Sequence, residues 1–264
     1  MRTCISLLVL TLLGSTTIVA EELSLSEKPR LAIIIDDLGD RLKDGRKVIA
    51  LNGNITVGII PYTPYARKLA RLANQHNKEI MLHLPMESID HRYLGKAGLY
   101  MDMTEQQVNA SLDQSLASLE NIRGINNHMG SRLTQNTQMM RWLMKGLQSR
   151  GNLYFVDSRT IDTSQALAMA KQVGIDHATR DVFLDNDKSS QAMAKQWRYY
   201  LKLADKQGSA VMIAHPYPET IAFLTRQLKT LEHDYVLMSV SELIRWRQHN
   251  RSKLAWQDPA SSSH

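Results

Sequence analysis

Cysteine is nearly absent from this chain of 264 residues, whose single thiol belongs to Cys4. Because Cys4 lies in a short apolar stretch at the N-terminus, the rest of the chain has no thiol for a disulfide or a metal. This composition excludes disulfide-stapled scaffolds and cysteine-bound zinc sites. Stability must then come from an ordinary hydrophobic core, and 43% of the residues are hydrophobic.

Aromatic residues are also scarce, at 6%, although the chain is basic, with a formal net charge of +6. A basic surface favours anionic partners such as nucleic acids or envelope polymers. No stretch interleaves Lys and Arg with aromatic side chains, so we expect no nucleic-acid partner. No apolar run after the N-terminal segment approaches the ~20 residues of a bilayer span, so we expect no stable membrane span in the mature protein.

The first 20 residues have the three parts of a secretory signal peptide. Arg2 supplies a positive start, residues 5–13 are apolar, and small residues lead to Ala20. We expect cleavage after Ala20 and a periplasmic or secreted product, with a retained N-terminal anchor as the alternative. Residues 21–250 are then expected to form one domain, and the polar residues 251–264 a disordered tail.

Strand and helix patterns alternate along the remaining sequence. Predicted strands lie at residues 31–35, 55–60, 79–84, 124–128, 153–157, 181–185, 210–214 and 235–238. Predicted helices lie at residues 64–76, 104–120, 134–150, 164–173, 189–207, 219–231 and 241–248. This alternation is typical of an α/β fold with a parallel sheet, and its even spacing favours a (β/α) barrel of seven to eight strands. No glycine-rich phosphate loop follows the first strand, which disfavours a nucleotide-binding sheet.

The first predicted strand ends in two adjacent carboxylates, Asp36 and Asp37. Two acids at the end of a buried strand are costly unless one of them is neutralised. A metal ion can neutralise one carboxylate and leave the other free to act as a base. This pair is therefore the first indication of a metal-dependent hydrolase.

Further polar side chains follow the other predicted strands, and the C-terminal ends of barrel strands meet on one rim. They are His83 and Glu87, His128 and Arg132, Asp157, Asp185, and His215. Each alone has an ordinary explanation, because a histidine can belong to a core and an aspartate can cap a helix. Together they predict a site whose Asp and His side chains suit zinc or another divalent transition metal. The spacing leaves the third ligand open between His128 and Glu87.

Four segments of the chain resemble the divergent polysaccharide deacetylase family. They are DDLG at residues 36–39, MLHLPME at 81–87, NNHMGS at 126–131 and AHPYP at 214–218. The resemblance extends over residues 29–247. It implies a distorted barrel and a metal-dependent hydrolase that removes acetyl groups from a polysaccharide.

The resemblance also implies roles for individual residues. Asp36 would be the general base, Asp37 and His83 metal ligands, and His215 the general acid. Glu87 occupies the position of the family's second metal histidine, and His128 is the expected replacement. We further expect three residues beside the substrate or behind the catalytic groups, namely Arg132, Asp157 and Asp185, with Arg132 and Asp157 holding His215 and Asp36 in place.

Three functions are compatible with these residues. The first is an exported zinc-dependent hydrolase of C–N (non-peptide) or ester bonds, acting on an acetylated glycan such as one derived from the cell wall. The second is a non-catalytic glycan-binding or scaffold protein with the same barrel, which the replacement at Glu87 favours. The third is a hydrolase of phosphodiesters or amides, which the few arginines beside the motifs disfavour.

Overall fold

The computed structural model of this chain describes residues 28–257, and the predicted signal peptide lies outside them. Its strands are β1 (Arg30–Leu38), β2 (Thr56–Ile59), β3 (Glu79–Met86), β4 (Ile122–Met129), β5 (Tyr154–Asp157), β6 (His177–Thr179), β7 (Val182–Phe183), β8 (Ser209–Ala214) and β9 (Val236–Leu237). Its helices are α1 (Leu42–Ile49), α2 (Ala66–Gln75), α3 (Glu105–Ala117), α4 (Thr137–Ser149), α5 (Ala166–Val173), α6 (Ser190–Gln207), α7 (Pro218–Gln227) and α8 (Val240–Gln257). None of the helices within residues 28–257 combines the length and apolar character that a bilayer span requires.

The strands form one parallel sheet in the order β6-β5-β4-β3-β2-β1-β8-β7, with β9 paired to β1. The two edge strands are consecutive in the chain. Arg180 N–H donates to the carbonyl of Asp157 on one side of the gap, and Asp181 N–H donates to the carbonyl of Val211 on the other. The backbone therefore bridges the two edges of a curled sheet. The predicted (β/α) barrel is confirmed, in a distorted form.

Side chains alternate between two apolar layers along β1. Leu31 and Ile33 belong to the large core between the strands and the outer helices, whereas Ala32 and Ile34 belong to a smaller core inside the barrel. Val240, Leu243 and Ile244 from the start of α8 complete that inner core. The alternation means that every second side chain at a strand's C-terminal end projects into the mouth of the barrel.

Some predicted boundaries differ from the structure. The helix α1 was not predicted, because it is short, highly charged and contains Gly45; a side chain there would collide with Leu69 of α2. β3 continues through Pro85, whose carbonyl accepts a hydrogen bond from Leu99 N–H. The final helix continues to Gln257, so the tail expected from residue 251 begins as helix. Residues 258–264 lie outside the described part.

Candidate metal centre and catalytic site

A β-bulge presents both carboxylates of the first motif. Ile35 pairs with Val57 and Leu38 pairs with Ile59, so Asp36 and Asp37 together face the single residue Gly58. In a regular strand these neighbours would point to opposite faces of the sheet. The bulge and the left-handed backbone of Asp37, with φ of 58°, redirect the second side chain towards the mouth of the barrel. Such conformations cost energy and are concentrated at functional sites.

Asp36 is buried inside the barrel, with 1% of its surface exposed. Its carboxylate occupies space that a side chain at position 58 would fill, because a Cβ on Gly58 would overlap Asp36 Oδ1. Asn126 Nδ2 donates to both carboxylate oxygens, at 3.0 and 2.8 Å. Burial raises the pKa of Asp36, and the nearby His83 and His215 oppose that rise only in part.

Asp37, His83 and His128 bring three possible metal ligands together, all within 4.8 Å of one another. Asp37 Oδ1 lies 3.1 Å from His83 Nε2 and 2.9 Å from His128 Nδ1. The two ring nitrogens are 3.1 Å apart. Burial favours a raised pKa for Asp37, but the two imidazoles outweigh it and hold that pKa well below its usual range.

These three groups fit a divalent cation. Asp37 Oδ1 is buried and forms no hydrogen bond of regular geometry within the described residues, although two imidazole nitrogens face it at 2.9 and 3.1 Å. In a tetrahedral site with bonds of ~2.0–2.1 Å, ligand atoms lie about 3.3 Å apart, close to the separations found here. Imidazole nitrogens and a carboxylate are also the donor types that zinc binds most often when no thiolate is available.

His83 is oriented by a chain of hydrogen bonds behind it. Because Asn126 donates its amide N–H groups to Asp36, its Oδ1 is left to accept from His83 Nδ1, at 2.7 Å. That bond places the proton of a neutral imidazole on Nδ1 and leaves the Nε2 lone pair facing Asp37. A fixed tautomer of this kind is typical of metal-binding histidines. Burial opposes the protonation of His83, but the charges of Asp36 and Asp37 outweigh it and raise its pKa to about 9.

His215 follows β8 on the opposite side of the cluster, with Nε2 3.9 Å from Asp37 Oδ2. Its Nδ1 lies 3.0 Å from Asp185 Oδ1, and Asp185 Oδ2 accepts from the His215 backbone N–H and from Thr220 Oγ1. The pKa of His215 is lowered by burial, but the hydrogen bond and charge of Asp185 outweigh that effect and raise it. Asp185 therefore fixes the ring with Nε2 towards Asp37.

Glu87, the alternative third ligand, lies in a separate network. Its Oε2 accepts a hydrogen bond from the backbone N–H of Met101 at 2.7 Å. Its Oε1 lies 2.7 Å from Arg132 Nη1 and 2.9 Å from His91 Nδ1. The reason is that β3 remains extended through Pro85, so residues 83 and 87 are not folded back on each other. The structure brings His128, and not Glu87, to Asp37.

Two of the expected supporting residues also lie elsewhere. Arg132 binds Glu87 and does not hold His215 or Asp36. Asp157 uses Oδ1 to accept from the backbone N–H of Arg159, as expected for an aspartate that closes a turn. Asp185, the third expected residue, contacts His215, and Asn126, which was not among the expected residues, contacts Asp36 and His83. The position of Asn126 at a strand end was evident in the sequence, but nothing there linked it to Asp36 and His83.

The cluster opens into a cleft of about 410 Å³, a size typical of a binding site for a small ligand. Asp36, Asp37, His83, His128 and His215 all line it, together with residues of the loops after β5 and β7. The cleft lies at the C-terminal ends of the strands, where barrel enzymes place their active sites.

Comparison with known proteins decides the family. Residues 33–244 match the family described as divergent polysaccharide deacetylase. The chain belongs to this family. An uncharacterized protein of Haemophilus influenzae is 37% identical over 218 residues, which are 83% of this chain and 77% of that protein.

Solved structures show the same fold. An uncharacterized protein from Agrobacterium tumefaciens superposes with a TM-score of 0.78 at 22% identity, covering 82% of this chain and 89% of its own. The catalytic domain of a peptidoglycan N-acetylglucosamine deacetylase from Eubacterium rectale superposes with a TM-score of 0.51 at 12% identity, covering 81% of this chain and 89% of its own. At these identities the likeness concerns the barrel and its strand order alone.

Proposed function

We propose that this protein is an exported, zinc-dependent hydrolase that removes acetyl groups from an acetylated glycan. The observation that carries the proposal is the buried Oδ1 of Asp37, which faces one nitrogen each from His83 and His128 within the described residues. Membership of the divergent polysaccharide deacetylase family supplies the substrate class. The Eubacterium rectale domain that shares the fold is a peptidoglycan N-acetylglucosamine deacetylase, and a cell-wall glycan is therefore the first candidate.

A divalent ion held by Asp37, His83 and His128 would supply the Lewis acidity that favours attack of water on an acetyl carbonyl. Asp36 is the residue placed to accept the proton of that water. It lines the cleft, and its raised pKa brings its proton affinity closer to that of a working base. Asn126 holds its carboxylate, so little reorganisation is needed when the proton arrives.

His215 is the group proposed to protonate the departing amine or alcohol. Asp185 orients the ring from behind and stabilises its protonated form, in the way that a buried aspartate supports a catalytic histidine. The rings of Phe183 and Tyr217 lie beside the His215 ring, with centroid separations of 5.1 and 5.8 Å.

The non-catalytic alternative depended on Glu87 in place of a metal histidine. Glu87 does not favour this alternative, because Asp37, His83 and His128 can form a three-ligand set without it. Asp36 and His215 also remain beside the cluster, where a pure binding protein has no need of an acid and a base. We therefore retain catalysis as the proposal.

Acetate release from a panel of acetylated glycans by the zinc-loaded protein tests this function. Asp36→Asn should lower turnover by about 10²–10⁴-fold and leave zinc binding nearly intact, because an amide keeps the shape but cannot accept a proton. Asp37→Asn should weaken zinc binding itself, since a charged ligand becomes neutral. The control Asp234→Asn, an exposed aspartate, should behave like the wild type. Full acetate release by both Asp36→Asn and Asp37→Asn would contradict the mechanism.

A further inference from the structure

One wall of the cleft carries groups that the proposed chemistry does not use. Ser158 and Arg159 belong to the loop after β5, and Arg180 belongs to the segment that bridges β6 and β7. All three line the same cavity as Asp37, His83 and His128, which are called the Asp37 cluster below. The wall is therefore in reach of a substrate whose acetyl group lies at that cluster.

Arg180 is held rigidly within this wall. Its Nε donates to the carbonyl of Ser158 at 2.7 Å and its Nη2 donates to the carbonyl of Arg159 at 2.8 Å. The guanidinium also lies over the ring of Phe183, 5.2 Å from its centroid. Within the described part of the chain it forms no ion pair with a carboxylate, so its Nη1 donors are left for a ligand.

A second guanidinium adds to the positive charge of this wall. Arg159 follows Ser158 directly, and its charge adds to burial in lowering the pKa of Arg180. Asp162 Oδ1 lies 3.4 Å from Arg159 Nη2, but the Asp162 side chain is 98% exposed. Ion pairs at the surface contribute little to stability. The charges of Asp157 and Asp181 offset part of the lowering of the Arg180 pKa, although neither carboxylate forms an ion pair with Arg180. Two like charges on one wall are stabilised when an anion binds between them.

Ser158 gives independent evidence of a ligand at the same place. The residue is 7% exposed, and its Oγ has no hydrogen-bond partner among the described residues. Buried hydroxyl groups normally have partners, so one without a partner at the edge of a cleft indicates a missing acceptor or donor. The Oγ atom itself is covered, so a rotation of the Ser158 side chain would bring this hydroxyl to a ligand held by Arg159 and Arg180.

We propose that Ser158, Arg159 and Arg180 form an anion subsite that binds a carboxylate of the glycan. The inference deepens the proposed function and rests on it, because it makes the substrate an acetylated acidic glycan and not a neutral one. Arginine suits this role, since its planar donors match a carboxylate in pairs. The net charge of +6 also favours the approach of an anionic polymer.

Calorimetric titration with a matched pair of sugars tests the subsite. The probes are an oligosaccharide of alternating N-acetylhexosamine and hexuronic acid, and the same oligosaccharide with its carboxylates reduced to alcohols. The zinc-loaded protein should bind the acidic form about 10- to 100-fold more tightly. Arg159→Gln and Arg180→Gln should abolish that preference, whereas Arg226→Gln, an exposed arginine in the last turn of α7, should keep it.

Ser158→Ala guards against a folding artefact, because the lost hydroxyl has no hydrogen-bond partner in residues 28–257. It should keep the thermal unfolding midpoint and bind the acidic oligosaccharide more weakly. Equal binding of the two oligosaccharides, or a preference that survives in both arginine variants, would overturn the subsite. Acetate release, measured separately, distinguishes the two claims. Release without an acidic preference removes only the subsite, whereas a preference without release removes only the deacetylase.

Discussion

At the scale of single residues, two polar side chains, Asp185 and Asn126, lie behind the groups that are proposed to react or to bind the metal. Asp185 contacts neither the proposed metal ligands nor the centre of the cleft. Its carboxylate accepts hydrogen bonds from the backbone N–H and the ring of His215 and from the hydroxyl of Thr220 in α7. Asn126 has the same relation to Asp36 and His83. Such outer partners set the tautomer and orientation of the histidines in front of them.

Asp185→Asn isolates this effect. Turnover should fall about 10- to 100-fold with zinc retained, a loss typical of supporting groups of this kind. Because Asp185 raises the pKa of His215, its loss lowers that pKa. A general acid works only while protonated, so the fall of activity on the alkaline side should move to lower pH. The measurement is a pH profile of acetate release.

Asp181→Asn is the matched control for this variant, because its carboxylate also accepts a backbone N–H from β8 but does not touch His215. In Asp181→Asn, the fall of activity at alkaline pH should occur at the same pH as in the wild type. An Asp185→Asn profile that coincides with the wild type would show that the aspartate is merely structural.

At the scale of elements, the bulge at the end of β1 is the feature that makes the site. Asp36 and Asp37 enter the barrel mouth together because they face only Gly58. Gly58 is required for a second reason, since its missing side chain leaves the space that the Asp36 carboxylate fills. β2 therefore shapes the site without contributing a functional side chain.

Gly58→Ala tests this geometry. The added methyl group must displace Asp36, so we expect a loss of about 1–3 kcal/mol in stability together with a large loss of turnover. Gly124→Ala on β4 is the control, because its methyl group would collide with the Tyr154 ring and leave Asp36 alone. It should lower stability but keep the activity of the folded fraction. The measurements are thermal unfolding and acetate release, and similar activity in the two variants would contradict the role given to Gly58.

The sequence predicted the alternation of strands and helices and the side on which the polar residues meet. Both follow from local apolar patterns and from the rule that parallel strands end on one rim. It could not choose between His128 and Glu87, because that choice depends on β3 staying extended through Pro85 while β4 lies beside it. It also missed the bulge, since two adjacent aspartates look the same in a regular strand and in a bulged one.

At the scale of the whole molecule, the barrel has one end filled by α8 and the other open at the Asp37 cluster. The basic charge and the proposed export both point to an anionic polymer outside the cytoplasm.

Export can be tested directly on the expressed protein. We expect the mature chain to begin near Glu21, because the apolar stretch before Ala20 is followed by small residues suited to signal cleavage. N-terminal sequencing of the protein recovered outside the cytoplasm is the measurement. A soluble cytoplasmic product that retains Met1 would contradict the proposed export.

The central claim is that Asp37, His83 and His128 hold a divalent ion, and zinc titration of chelator-treated protein tests it most directly. Calorimetry should show one zinc ion bound per chain, with affinity lowered by more than roughly 10-fold in His128→Ala, since loss even of a supporting group costs about that much. Glu87→Gln should bind zinc as the wild type does, because Glu87 is engaged with Arg132. No zinc binding by the wild type, or zinc binding that His128→Ala leaves unchanged and Glu87→Gln removes, would contradict the account.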